Sequence, residues 1–209
     1  MKILKYCSFL LGITLLGGCL PQQIDLKKFP IIKKSNSFSE NKEEVIVQWK
    51  AYNKEECKSH FGVDITAKNY IALQLKIENR TPDTYIIRPS YLSLTIADPQ
   101  KVAKLLHYDT SFFVTAAGTL ALMFYWPATY LIGRTGYDMY QNNKRINSMI
   151  TEYSLSEGES LKIRPYEIVN KFIFVNRYEF TNNFTLKMFN KNQRKAIAFF
   201  ISLPERPEN

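Results

Sequence analysis

The stretch Tyr70-Ile71-Ala72-Leu73-Gln74-Leu75-Lys76-Ile77-Glu78-Asn79 decides the fold of this chain. From Leu73 onward apolar and polar residues alternate, which predicts a β-strand with Leu73, Leu75 and Ile77 on its buried face. The next residues, 79–83, have the composition of a turn, and residues 84–87 predict a returning strand. The sequence therefore predicts an antiparallel sheet.

Further strands are predicted wherever β-branched and aromatic residues cluster between turn residues, namely at 45–52, 91–96, 161–165, 172–175, 184–189 and 196–203. Residues 156–159 and 190–194 have the composition of turns between them. A series of about seven short strands is typical of an immunoglobulin-like antiparallel sandwich. The predicted fold class is therefore mainly β, with such a sandwich interrupted by a helical hydrophobic insertion.

The insertion is predicted at about residues 99–150, where the β pattern stops. Pro99 can begin a helix, and residues 110–133 contain no charged side chain over 24 positions. A run of this length can span a bilayer, but Pro127 interrupts it, and strands of one domain are predicted on both sides. Three alternatives stay open: a helical hairpin that covers the sheet or binds a partner, a hairpin that dips into a membrane, and a true span.

The N-terminus has the order of features that defines a secretory signal. Lys2 and Lys5 provide the positive charge, residues 3–16 form the apolar stretch, and Leu16-Gly17-Gly18-Cys19 closes it. This closing sequence resembles the lipobox of bacterial lipoproteins. The resemblance implies cleavage before Cys19 and attachment of acyl chains such as palmitate to its sulfur, and usually to the new amine. The alternatives are an ordinary cleaved signal with a chance cysteine, and an uncleaved anchor helix.

The domain itself also resembles a family. Residues 57–65, 73–79 and 171–175 are similar to segments of uncharacterised bacterial lipoproteins that combine a β domain with a hydrophobic insertion. This resemblance implies no activity. The expected organisation is a signal peptide at 1–18, a lipidated Cys19 with a flexible tether at 19–42, the β-sandwich domain at 43–204 and a tail at 205–209.

Charge and motif content restrict the partners. The net charge of +9 is scattered, apart from a patch in the tether formed by Lys27, Lys28, Lys33 and Lys34. Anionic lipid headgroups are the natural counter-charge for that patch, and no sequence motif of nucleic-acid recognition is present. The expected partners are the membrane, through the lipid anchor, and an envelope protein complex. The location expected is the bacterial cell envelope; the absence of Asp after Cys19 favours the outer membrane, as the resemblance implies.

The one candidate catalytic pair is Cys57 with His60, since a spacing of three can place both on one helical turn. The alternative is a surface detail at a strand-to-loop junction, with Cys57 as an inert, half-buried thiol and Asp64 adding little. His60 and His107 lie in no metal-binding spacing. The prediction is therefore a protein that is not an enzyme, with no cofactor and no metal, and with Cys19 as its lipid attachment site.

The predicted function is accordingly that of a lipid-anchored envelope lipoprotein with a binding or scaffolding role. The alternative is a membrane-embedded subunit of an envelope or secretion complex, in which residues 110–133 enter the bilayer.

Overall fold

The computed structural model describes residue 32, residues 37–107 and residues 127–204, of which residues 127–133 and 135 are described by their backbone only. The chain divides into two compact units. One comprises Met1–Gln23 and Tyr108–Lys144, and the other comprises Ile24–His107 and Arg145–Asn209. All strands described below belong to the second unit.

Within the described residues, eight strands form two antiparallel sheets of four strands each, which confirms the expected mainly β class. The first sheet has the order β1-β2-β3-β6 and the second has the order β5-β4-β7-β8. The strands are β1 (Phe38–Lys42), β2 (Val45–Ala51), β3 (Tyr70–Asn79), β4 (Tyr85–Ile87), β5 (Leu161–Ile163), β6 (Ile168–Asn176), β7 (Asn183–Asn190) and β8 (Lys195–Ser202). The helices are α1 (Lys54–Phe61), α2 (Pro99–Leu106) and α3 (Pro127–Tyr153), with short 3-10 turns at Thr66–Lys68 and Pro89–Tyr91.

The two sheets share one hydrophobic core. Leu73, Leu75 and Ile77 are at most 1% exposed and belong to this core, so the inward face predicted for β3 is confirmed. The polar residue Gln74 between them is also only 1% exposed, so the opposite face of β3 is not fully open to solvent. Trp49 of the first sheet meets Phe184 of the second edge to face, with ring centroids 5.1 Å apart. An edge-to-face pair of this kind adds about 1 kcal/mol to the stabilisation from buried area. The core therefore joins the sheets as well as the strands within each sheet.

The outer face of the first sheet is also buried in part. β6 has four consecutive buried residues, of which Ile173 and Val175 belong to the shared core. Phe172 and Phe174 point to the opposite face, because successive side chains of a strand alternate. Phe61 of α1 contacts both rings, and α2 lies against β6. A helical layer therefore covers this end of the first sheet.

Both ends of the insertion are fixed to the edge of β6. The backbone N–H of Ala97 donates to the carbonyl oxygen of Phe174 at 2.7 Å, and that of Leu155 donates to the carbonyl oxygen of Phe172 at 2.9 Å. The chain thus leaves and returns at positions two residues apart on one strand. A single membrane crossing between residues 97 and 155 would separate these bonded groups, so the chain must end the insertion on the side where it began it.

None of the helices that the structure describes combines the length and the apolar character needed to cross a membrane. Most of the uncharged run, residues 110–126, lies outside the described residues, as do the signal peptide, Cys19 and the tail 205–209. Within the first unit the structure describes part of α3, where Met139 is buried and Tyr137 and Tyr140 are exposed.

The predicted tether is wrong at its C-terminal end. Residues 38–42, assigned to it, form β1 and pair with β2 from Phe38 opposite Trp49 to Lys42 opposite Val45. Only Phe38 of this strand packs on the core, which explains why no apolar alternation was visible. The β domain therefore begins at residue 38 and not at residue 43.

The strand predicted at 91–96 is also wrong. Pro89–Tyr91 form a 3-10 turn, and the following segment makes single bridges from Leu92 to Leu186 and from Ile96 to Val175. Leu186 belongs to the second sheet and Val175 to the first. A segment that passes from one sheet to the other cannot form a continuous ladder with either.

The predicted return strand after β3 exists as β4, but it does not pair with β3. The turn at residues 80–83 carries the chain from the first sheet to the second, where β4 lies between β5 and β7. The Asn79 side chain holds this crossover, because its Nδ2 donates to the carbonyl oxygens of Asp83 at 2.8 Å and of Arg164 at 2.7 Å. The polar composition of the turn thus fits a change of sheet as well as a hairpin.

Candidate functional site

The helix α1 carries the candidate Cys57 and His60, and its formation was missed because β structure was expected from residue 45 to residue 97. Asn53 caps the helix: its Oδ1 accepts from the N–H of Glu56 at 2.8 Å, and Glu56 Oε2 accepts from the N–H of Asn53 at 3.1 Å. This reciprocal arrangement is a capping box, which satisfies two helix-end donors. Gly62 ends the helix in the left-handed region, at φ 74°. The spacing of Asn53 and Glu56 was the available sequence signal.

An aromatic cluster lies where α1 covers the outer face of the first sheet. We call it the α1 cluster; its members are Tyr52, His60, Phe61, Phe172 and Phe174. The His60 ring centroid lies 4.8 Å from that of Phe61, 5.2 Å from that of Phe172 and 5.8 Å from that of Tyr52. Phe61 and Phe172 meet edge to face at 5.1 Å. The cluster therefore joins α1 to two strands that are far apart in sequence.

Polar side chains border the cluster and are paired. Lys50 is only 8% exposed, and its Nζ lies 2.6 Å from Oε1 of Glu56 and 5.1 Å from the ring centroid of Tyr52. The Tyr52 hydroxyl donates to Oε1 of Gln74 at 2.9 Å. Pairing is required here, because an unpaired charge in a poorly solvated position is strongly destabilising. Lys50 and Glu56 thus attach α1 to β2 beside the aromatic contacts.

The ionisation of His60 is altered by this packing. Burial among the rings, with the positive charge of Lys50 as a second cause, lowers the pKa of His60 from 6.5 to about 4. Its Nε2 is buried and has no hydrogen-bond partner among the residues that the structure describes. Burial, followed by the nearby Glu56 and Cys57, raises the pKa of Tyr52. Both side chains are therefore neutral at pH 7.

The geometry does not favour catalysis by the candidate pair. Cys57 and His60 do lie on one turn of α1, but the Cys57 side chain is 0% exposed. Reactive cysteines are partly exposed and lie in electropositive surroundings that stabilise the thiolate. An imidazole with a lowered pKa is also a weak proton acceptor at pH 7. Asp64 is used elsewhere, since its Oδ1 accepts from the N–H of Thr66 at 2.9 Å.

The second histidine lies at the end of another helix. The backbone N–H of His107 caps the C-terminus of α2, and burial, followed by the charge of Lys104, lowers the pKa of its imidazole. In the described part of the chain, no three His, Cys, Asp or Glu side chains are grouped so that they could hold a metal ion.

A second polar cluster surrounds Asp83, at the crossover from β3 to β4. Oδ2 of Asp83 accepts from Asn190 Nδ2 at 2.7 Å and from Gln193 Nε2 at 2.7 Å. Oδ1 of Asn190 accepts from the N–H groups of Asn192 at 2.9 Å and Gln193 at 3.0 Å. The donors and acceptors are used within the protein, so this cluster shapes the turn between β7 and β8.

A shallow depression lies on the second sheet at the β7 and β8 ends. It is lined by Ser93, Asn183, Phe184, Thr185, Phe200, Ile201 and Ser202. Phe200, 69% exposed, gives it an apolar side, and no titratable side chain lines it. It lacks the enclosure typical of a small-molecule site.

Comparison with known proteins returned no matching family model, no matching curated protein and no matching solved structure. The lipoprotein resemblance therefore stays a prediction, and the functional assignment rests on the residues of this chain.

Proposed function

We propose that this chain is a lipid-anchored lipoprotein of the bacterial cell envelope whose β domain binds or scaffolds other envelope components. The observation that carries the binding role is the attachment of both insertion ends to β6, through Ala97 and Leu155. The chain therefore leaves the sheet and rejoins it at one edge, so residues 98–153 are a single excursion in sequence. Such an excursion can contact a partner or a bilayer surface while the two sheets keep their pairing.

The anchor is supported by the sequence order of the first 19 residues, which ends in Leu16-Gly17-Gly18-Cys19. The first described strand begins at Phe38, so 18 residues follow Cys19 before β1. A flexible chain of this length has an end-to-end distance of about 21–25 Å, from about 5–6 Å times the square root of the residue number. Two or more acyl chains give a stable anchor, so the domain would act close to the membrane surface.

A binding role is favoured over catalysis by the candidate pair. The Cys57 thiol is enclosed, and His60 is surrounded by aromatic rings that lower its pKa. The polar groups at Lys50, Glu56 and Asp83 are occupied by protein partners. Paired groups of this kind stabilise a fold, whereas a catalytic site presents groups to a substrate.

The strand order supports an immunoglobulin-like sandwich. In that fold, strands B and E are neighbours in one sheet, and strands C and F are neighbours in the other. If β3, β4, β6 and β7 are taken as B, C, E and F, then β3 lies beside β6 and β4 lies beside β7. β1 is then an additional N-terminal strand, and the insertion lies between β4 and β5. An experimentally determined strand order other than this would overturn the assignment.

The lipid anchor is tested by the intact mass of the protein purified from its host. We expect a chain that starts at Cys19 and carries two or three acyl groups. A Cys19→Ala variant should lose both the cleavage and the added mass, whereas a Cys57→Ala variant should keep them. An unmodified chain that starts at residue 19, or a chain that retains residues 1–18, would contradict the proposal.

The second candidate, a membrane-embedded envelope or secretion-complex subunit, is favoured by the 24 uncharged positions of residues 110–133. The attachment of Ala97 and Leu155 to β6 requires such an entry to return to its starting side. A chain truncated to begin at Ser37 separates the candidates, because it has no anchor. If it is monodisperse without detergent, the insertion folds within the protein. If it partitions into detergent or vesicles, residues 110–133 enter the bilayer.

A further inference from the structure

We infer that α1 is an acid-sensitive cover on the first sheet: protonation of His60 releases this helix and exposes the aromatic face beneath it. The inference concerns the described domain alone and does not depend on the proposed anchor. It begins from the position of His60, which is the one ionisable member of the α1 cluster that titrates in the acidic range.

The His60 ring is one of the contacts through which α1 meets the first sheet, together with the ring of Phe61 and the Lys50–Glu56 ion pair. Its centroid lies 5.8 Å from that of Tyr52, which follows β2, and 5.2 Å from that of Phe172 in β6. Within α1 it lies 4.8 Å from the ring of Phe61. A charge placed on this ring would be transferred into apolar surroundings, which costs free energy unless a counter-charge accepts it.

The groups that face His60 provide no unused counter-charge. β2 contributes the ammonium group of Lys50, whose positive charge opposes protonation. The carboxylate of Glu56, on α1 itself, is engaged by Lys50 at 2.6 Å and by the N–H of Asn53 at 3.1 Å. Tyr52 and Cys57 are the other titratable groups here, and Tyr52, whose pKa is raised by burial, is neutral at acidic pH. β6 contributes Phe172, and β3 contributes Gln74, whose amide oxygen accepts from Tyr52.

The Nε2 atom of His60 also lacks a group that would stabilise the protonated ring. It is buried and has no partner among the described residues. In the neutral ring this atom loses one hydrogen bond, whereas in the protonated ring it would be a charged N–H without an acceptor, which is the larger penalty. The closed position of α1 therefore excludes the proton.

α1 can open without unfolding of the sheets. It has eight residues, a length at which an isolated helix is unstable in water, so its tertiary contacts hold it in place. It makes no ladder hydrogen bonds. In sequence it lies between β2 and β3, and these two strands pair directly with each other, so their pairing does not depend on α1. Opening would remove α1 from Tyr52, Phe172 and Phe174 on the outer face of the first sheet.

The direction of the pH dependence follows from linkage. The closed state has a His60 pKa of about 4, and a solvated histidine has a pKa of 6.5. Since the open state binds the proton more tightly, opening becomes more favourable as the pH falls through 6.5, and the effect saturates below about 4. The difference between the two His60 pKa values sets an upper limit on the change in the opening equilibrium. Because His60 is only half-buried, we expect a change below that limit, about a tenfold increase in the population of the open state between pH 7 and pH 4.5.

Hydrogen exchange of the full chain, followed by mass spectrometry and corrected for the intrinsic pH dependence of exchange, tests the inference. Amides of residues 54–61 should exchange about tenfold faster at pH 4.5 than at pH 7, while amides of β3 should not change in the same way. A His60→Gln variant should lose this difference. A His107→Gln variant should keep it, because His107, the other histidine of the chain, lies at the C-terminal end of α2 and not in the α1 cluster.

Two results would overturn the inference: corrected exchange of residues 54–61 that is equal at both pH values, or an unchanged acid response in His60→Gln. If that variant does not fold, the NMR titration of the two imidazoles in the unaltered chain decides. A His60 pKa near 4, with acid changes in the amides of α1, supports the cover. A pKa near 6.5 without such changes excludes it.

Discussion

Lys42 of β1 donates a hydrogen bond from its Nζ to the carbonyl oxygen of Ala198 in β8, at 2.8 Å. These residues belong to edge strands of different sheets, because β1 is the outer strand of the first sheet and β8 is the outer strand of the second. The same Nζ lies 2.8 Å from Oε1 of Glu40 and within 5.6 Å of the ring centroids of Phe199 and Phe200. Lys42 therefore joins the two sheets along one side of the domain.

We expect Lys42→Met to lower the free energy of unfolding by about 1 kcal/mol, because it removes one part-buried hydrogen bond, the ion pair with Glu40 and the two cation–π contacts. It also leaves a backbone acceptor of an edge strand available to other chains, so self-association should increase. Urea denaturation and analytical ultracentrifugation measure the two effects. Lys187→Met, an exposed position on β7, is the matched control. An equal response of the two variants would show that Lys42 has no joining role.

Asn190 should be one of the most sensitive polar residues of the domain. Its side chain is 0% exposed, donates to Asp83 and accepts from two N–H groups of the following turn. Asn190→Ala leaves these groups unsatisfied, and we expect a loss of about 2 to 4 kcal/mol in the free energy of unfolding. Asn190→Asp keeps the acceptor but removes the donor and places a second carboxylate beside Asp83, so it should be destabilised as well. Stability unchanged in both variants would contradict the network.

The sequence predicted strands such as β3, whose own residues alternate between apolar and polar. It failed where pairing with a neighbouring strand decides whether a segment forms a strand. β3 alternates in sequence from Leu73 onward, and the residues predicted to face the core are buried as expected. β1 has one apolar residue, Phe38, and is a strand because β2 offers it an unpaired edge. The segment 91–96 has strand-forming residues, but it changes sheets and makes only single bridges. Propensity describes what a segment can form, and the partner decides which form is used.

The α1 cluster could be predicted only in part. The capping box of Asn53 and Glu56 was visible in the sequence and identifies a helix start. With that helix assigned, the spacing of Cys57 and Phe61 gives its buried face. The contact of His60 with Phe172 joins residues that are 112 positions apart, and no local pattern indicates it. The altered ionisation of His60 depends on that contact, so it required the structure.

The cap of α1 should control the helix without affecting the core. Asn53→Ala removes the side-chain acceptor of the capping box, and we expect it to destabilise α1 by about 1 kcal/mol. Asn53→Asp keeps an acceptor and should behave like the unaltered chain. Hydrogen exchange should show faster exchange in residues 54–61 for Asn53→Ala and unchanged protection in β3. Loss of protection throughout both sheets would mean that α1 is an integral part of the core.

The Cys57 thiol reports on α1 directly, and it should be unreactive while the helix is in place. In a chain truncated to begin at Ser37, Cys57 is the only cysteine that remains. Because its side chain is 0% exposed, we expect labelling by a thiol reagent at neutral pH to require opening of α1. Phe61→Ala removes the ring that packs α1 on Phe172 and Phe174, and it should accelerate labelling by about tenfold or more, because less apolar packing then holds the helix closed. Phe200→Ala, at an exposed position of β8, should leave the rate unchanged. Rapid labelling of the unaltered truncated chain would show that Cys57 is accessible, and it would restore the pair with His60 as a candidate for chemistry.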